Sequence, residues 1–261
     1  MSPAQLALDL TAPSTPRRGG ARRGAGRKRT LPGRPRVSHV ARESLQARFP
    51  VHITKRIRTE VGRLRRFELC KFLRAAFVAG CIMRVEGDDG ESIVEFRICQ
   101  FSIQGNHIHL ICEAIGTKAL SRGVQGWSVR VAKAINKFLE REGAVFDDRY
   151  HVEILRTPSQ VRNALCYVLQ NARRHGEYLE GKYRGADPFS SAWWFDGWKD
   201  PSWRNGMPPP EARTVAEAGT WLLRVGWKRS PLGLIAIDEL PAAGGPRAAR
   251  SPRSARRRMS R

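Results

Sequence analysis

Hydrophobic positions along this chain recur at two periods, and the switches between them mark the elements. Alternation of apolar and polar residues over 49–57, 93–103, 106–111 and 150–155 predicts four strands. Helical spacing over 66–78, 118–142 and 158–174 predicts three helices. The longest carries Leu120, Val124, Trp127, Val131, Ile135, Phe138 and Leu139 on its inner face. Glu86-Gly87-Asp88-Asp89-Gly90 reads as a turn, and Gly105-Asn106 as the tip of a tight hairpin. The resulting order, βαββαβα, predicts an α+β sandwich: an antiparallel-dominated sheet with helices on one face.

Two of these elements carry candidate chemistry. In Asn106-His107-Ile108-His109-Leu110-Ile111 the alternation puts His107 and His109 on one strand face and Ile108 and Leu110 on the other. Two imidazoles so placed can hold one cation; seen alone, they equally suit a hydrogen-bonded pair. The last helix opens with Thr157 as N-cap, Pro158 in its first turn and Gln160 completing a capping box. Its buried stripe is Val161, Leu165, Val168, Leu169 and Ala172. Asn163, Tyr167 and Asn171, spaced by four, form a polar edge beside that stripe. A tyrosine so placed is also an ordinary core-edge residue.

Charge adds a partner class. The 261 residues carry a net +23, but residues 1–49 hold 11 Lys/Arg against 2 acids, and residues 242–261 hold 7 Arg and no acid. Only +7 remains for the 192 residues between. The arms read as disordered, with sequence-independent phosphate contact as an added role. Arg122 and Lys137 on the long helix, and Arg162, Arg173 and Arg174 on the last one, are candidate DNA contacts. Five cysteines with no Cys-x-x-Cys spacing suggest reduced thiols in the cytoplasm. No apolar run is long enough for a membrane span, and the N-terminus lacks a secretory core. Six of the seven tryptophans fall between Asp187 and Trp227, in Pro/Gly-rich chain. That density predicts aromatic packing of an extension on the core, with base stacking as the alternative.

Five pieces in order then carry a resemblance: Val51-His52-Ile53-Thr54, Gly105-Asn106-His107-Ile108-His109-Leu110, Ala119-Leu120-Ser121-Arg122-Gly123-Val124-Gln125-Gly126, Asp148-Arg149-Tyr150-His151 and Tyr167-Val168-Leu169-Gln170-Asn171-Ala172-Arg173. Together they resemble the single-tyrosine HUH transposases, and among these the bacterial REP-associated tyrosine transposases. The resemblance implies a ferredoxin-like HUH sandwich and the following division: a basic arm at 1–44, the transposase domain at 45–180, a Trp-rich extension at 181–235 and an Arg-rich tail at 236–261. It implies a divalent ion, magnesium or manganese, on His107, His109 and Asn171. It implies Tyr167 as the nucleophile that cuts single-stranded or hairpin DNA and retains a 5′-phosphotyrosine. A cytoplasmic, nucleoid-associated enzyme is expected, with monomer and homodimer both open. The alternatives are a non-catalytic DNA-binding descendant and a metallohydrolase using Glu113, the one carboxylate on the His-x-His strand face.

Overall fold

A computed structural model of the chain describes residues 42–87, 89–174 and 185–241, with the backbone alone at Arg174. The expected arms therefore lie outside the described residues, except for 42–44 and 236–241. The fold is α+β, built on one open five-stranded antiparallel sheet. In chain order the elements are β1 (Val51–Arg56), α1 (Phe67–Gly80), β2 (Ile82–Glu86), β3 (Ser92–Ile103), β4 (His107–Ala114), α2 (Thr117–Phe138), β5 (His151–Ile154) and α3 (Pro158–Arg174). The strands lie in the order β2-β3-β4-β1-β5, which puts β4 in the middle.

All seven predicted elements form, together with an eighth that the pattern does not announce. β2 is a five-residue edge strand whose residues alternate between exposed and half-buried, so it has no buried face to show in the sequence. The helices also do not share one face. Ile108, Leu110 and Cys112 of β4 join α1 and α2 in one core, with Trp127, Val131 and Ile135 from α2. Ile111, from the other face, joins Val161, Leu165, Val168 and Leu169 of α3 in a second core. The correction follows from how fully β4 is buried: seven of its eight residues are buried, so each face needs its own cover. The α2 layer approaches closely enough that a Cβ at Gly123 would overlap the Phe96 ring.

α3 begins as expected. Gln160 N donates to Thr157 Oγ1 at 3.2 Å, and Thr157 N donates back to Gln160 Oε1 at 3.1 Å. Its outer side is covered by the Trp-rich extension, including α4 (Trp221–Arg224). Buried polar pairs fasten that cover. Arg65 makes two 2.9 Å bonds to Asp187. Glu113 accepts from Gly219 N at 2.6 Å, Thr220 N at 2.9 Å and Thr220 Oγ1 at 2.7 Å. Arg162 reaches Gly233 O at 2.9 Å and Glu239 at 2.5 and 2.7 Å. The cover therefore runs past the boundary expected at 235, because Glu239 and the carbonyls of Ala236 and Ile237 bond to α3 side chains.

The Arg162 guanidinium is 2% exposed and Glu239 25%, so truncating the arginine strands a half-buried carboxylate. Arg162→Met should lower unfolding stability by about 3 kcal/mol, the lower end of the range for a broken buried pair, since Glu239 keeps some contact with water. Urea denaturation measures the loss, and the double variant with Glu239→Gln should recover part of it.

Candidate active site

β4 delivers its two histidines to the α3 side of the sheet, where cross-strand neighbours fix their roles. Thr54 stands opposite His109 on β1, and Ser102 stands opposite it on β3. His109 Nδ1 lies 3.1 Å from Thr54 Oγ1 and 3.1 Å from His52 Nε2. His107 Nδ1 lies 2.8 Å from Asn106 Oδ1, an acceptor, so Nδ1 carries the proton and Nε2 presents a lone pair. That lone pair meets His109 Nε2 at 2.9 Å, with the two rings perpendicular. At this separation a proton on His109 Nε2 makes a hydrogen bond, and with the other tautomer the two lone pairs face each other and can share a cation.

In the sequence His52 figures only as part of a strand motif, yet it belongs to the site. Its ring stacks on His109 at 5.1 Å and meets Tyr167 edge-on at 5.8 Å. Burial, aided by the charges of His151 and His107, lowers its pKa to about 3, so the ring is neutral across the working pH range. The signal for it is the β1 alternation, which puts His52 and Thr54 on one face. Their neighbourhood to His109 depends on β1–β4 pairing, which periodicity does not give.

From the opposite layer, α3 brings Tyr167 edge-on to His109 at 5.1 Å between ring centres. One turn later, on the same helix edge, Asn171 is fully buried, and neither amide atom has a hydrogen-bond partner. Its neighbour Gln170 donates to the carbonyls of Ala236 at 3.0 Å and Ile237 at 2.6 Å, so that carboxamide serves the fold. Two unpaired buried amide atoms cost about 1–3 kcal/mol each. An ordered water or a bound ligand would satisfy them.

The donor set suits a divalent ion. Two imidazole nitrogens and one carboxamide oxygen are neutral ligands, and cis ligands at about 2.1 Å from an octahedral metal sit about 3 Å apart, close to the 2.9 Å between the Nε2 atoms. Thr54, His52 and Asn106 provide the outer contacts that orient such ligands. Among the described residues no group of three or more His, Cys, Asp or Glu could hold a metal ion, so a third protein ligand beside the two histidines would have to be of another type, and Asn171 is the candidate the sequence names. Glu113 does not serve: its oxygens are taken by Gly219 and Thr220, with Arg97 Nε at 3.6 Å. The metallohydrolase reading loses its carboxylate on that count.

The expected DNA contacts divide. Arg162 is a structural residue, its guanidinium spent on the extension. Arg122 pairs with Glu95, and it and Lys137 sit on α2, across the sheet from Tyr167. They do not border the site, because α2 covers the other face of β4. Arg173 follows Asn171 on α3, half-buried, and donates to Gly185 O at 3.2 Å. The Arg174 side chain lies outside the described residues. All five cysteines are free and buried, and burial pushes Cys166 up to about 12, a thiol with no nucleophilic use here. No helix among the described residues is long and apolar enough to cross a membrane.

No family model matches the chain, and no curated protein matches it. Among solved structures it is similar to a REP-associated tyrosine transposase bound to a REP hairpin, at 16% identity and a TM-score of 0.42. That similarity covers 59% of this chain and 82% of the other.

Glu153 pairs with His52 across β1 and β5, is buried, and has one carboxylate oxygen without a partner. Burial raises its pKa from 4.5 to about 7. The folded state therefore holds the proton more tightly than the unfolded chain, and this stabilisation is complete below 4.5 and lost as pH rises to about 7. Glu153→Gln should remove that loss. Denaturation at pH 5 and pH 8 should show the variant gaining on wild type at pH 8, and an unchanged difference would contradict the burial argument.

Proposed function

We propose that the chain is a metal-dependent single-strand DNA transesterase of the transposase kind, acting on hairpin-forming repeat DNA. The observation that carries this reading is the convergence of His107 and His109 Nε2 at 2.9 Å beneath Tyr167, with the unpartnered buried carboxamide of Asn171 one turn further along the same edge of α3. The order of the five sequence pieces supports it independently.

In this reading Tyr167 is the nucleophile. Its phenolic oxygen forms a bond to phosphorus and gives up its proton to water, the P–O3′ bond breaks, and the departing O3′ takes a proton from water, so the released strand leaves with a 3′-hydroxyl. His107, His109 and Asn171 would hold the ion, with manganese or a later divalent ion favoured by the imidazoles. When bound, the ion neutralises charge building on the non-bridging phosphate oxygens. The protein's own part is positional. Thr54 and His52 fix the His109 ring, the β4 pleat holds both imidazoles to one face, and the capping box fixes where α3 starts. An unperturbed phenol, with pKa about 10, is a poor nucleophile at neutral pH, so the site has to favour its ionised form. Energy stored in the phosphotyrosine lets strand transfer proceed without a nucleotide cofactor.

Tyr167→Phe should abolish covalent protein–DNA adducts on labelled hairpin strands while leaving affinity within about twofold. Adducts that persist in this variant, or that map to Tyr150, overturn the assignment. His107→Ala, His109→Ala and chelation of the wild type should each abolish cleavage by at least about a hundredfold, and cleavage undiminished by chelator removes the metal. Asn171→Leu separates site from fold: without metal it should unfold no earlier than wild type, since it replaces an unpaired amide by an apolar group of similar size. Its cleavage should still be abolished.

A further inference from the structure

Five of the tryptophans in the extension are buried or half-buried, whereas Trp221 is 51% exposed. It sits on the wall of a groove of about 810 Å3 bounded by β3, the end of β4, the start of α3 and α4. Phe49 contributes a second aromatic wall. Both rings carry cations: the Arg229 guanidinium lies 5.4 Å from the Trp221 ring, and those of Arg48 and Arg156 lie 4.7 and 5.9 Å from Phe49. The carboxylates in the lining are already engaged, Glu113 by Gly219, Thr220 and Arg97, and Glu95 by Arg122. Arg156 pairs with Glu43 at the rim, whereas Arg48 is exposed and has no acidic partner among the described residues. The groove therefore offers cations interleaved with aromatic faces.

We propose that this groove is a stacking subsite for unpaired bases of single-stranded DNA, with Trp221 as its platform. The inference rests on the DNA reading above and extends it to a second place on the molecule. Flat, weakly polar rings on a strongly anionic backbone match a concave aromatic wall edged by arginines, and such stacking tolerates any base. The ring is positioned for this use: it lies so close over Gly226 that a Cβ there would overlap it. The subsite is separate from the cleavage site. Pro158 lines the groove, and Tyr167 follows nine residues later on α3, roughly 14 Å along the helix axis. The groove thus takes bases flanking the cut phosphate and leaves the cut step to the histidine side.

The test uses the full chain and fluorescence anisotropy with two labelled strands of equal length, oligo(dT) and an abasic strand. Trp221→Ala should weaken oligo(dT) binding at least fivefold, the lower bound for one stacked base. Binding to the abasic strand and the slope of log affinity against log salt should be unchanged. Trp221→Tyr should restore most of the affinity, and Gly226→Ala, which displaces the ring, should reproduce part of the defect. Arg48→Ala with Arg229→Ala should weaken both strands alike and flatten the salt slope by roughly 0.7 for each phosphate no longer neutralised. The subsite is overturned if Trp221→Ala binds oligo(dT) within twofold of wild type, or weakens both strands equally. It is likewise overturned if the variant alters only self-association in sedimentation, which would make the patch a surface shared between copies. Failure of the wild type to bind either strand removes the DNA reading itself, whereas absence of Tyr167 adducts with stacking intact removes only the cleavage.

Discussion

The pleat of one central strand decides where everything else in this molecule goes. β4 is covered on both sides, so its alternate residues belong to different layers: Ile108, Leu110 and Cys112 to the α1–α2 core, and His107, His109, Ile111 and Glu113 to the α3 side. A slip of one residue would bury the imidazoles under α2 and turn the aliphatic side chains toward Tyr167. The β1 and β3 pairings prevent that slip with side chains that fit only one face, Thr54 and Ser102 opposite His109. The same register that protects the core therefore assembles the histidine cluster.

Much of this was legible in the chain because both periods are strong. The His107–His109 face, the helix that carries Tyr167 and its capping box follow from local spacing, and local spacing survives folding. What was not legible was the partnering of surfaces. A helix stripe says that one side is buried without saying against which face of which strand. Arg122 and Lys137 therefore read as candidate DNA contacts, though α2 lies across the sheet from the histidines. Arg162 looked like a surface cation because arginine seldom lies at 2% exposure; its partner Glu239 is 77 positions away, beyond the reach of any pattern. β2 escaped because an edge strand with half-buried residues has almost no hydrophobic signal.

The extension shows how a Trp-rich, irregular segment can be held without regular secondary structure. Its aromatics fill the space over α3, but buried ion pairs and carboxylate caps fix its path: Arg65 with Asp187, Glu113 with the backbone of Gly219 and Thr220, and Arg162 with Glu239. Each would be costly if half-satisfied, and each is satisfied from a different part of the sheet-and-helix core. The segment therefore docks in one way.

Gln170 and Asn171 are neighbours with nearly the same chemistry and opposite fates, one bonded to the extension and the other left without a partner. Only about 100° of helix rotation separates them. Lengthening or shortening α3 by one residue anywhere between its cap and Tyr167 would turn both amides by about 100° away from their present surroundings and carry the phenol off the imidazoles. Descendants of this chain can therefore diverge by substitution along α3, but the distance from Thr157 to Asn171 is closed to insertions and deletions. Change of length is confined to the loops, where it alters what the protein reaches and leaves untouched how α3 is phased against the sheet.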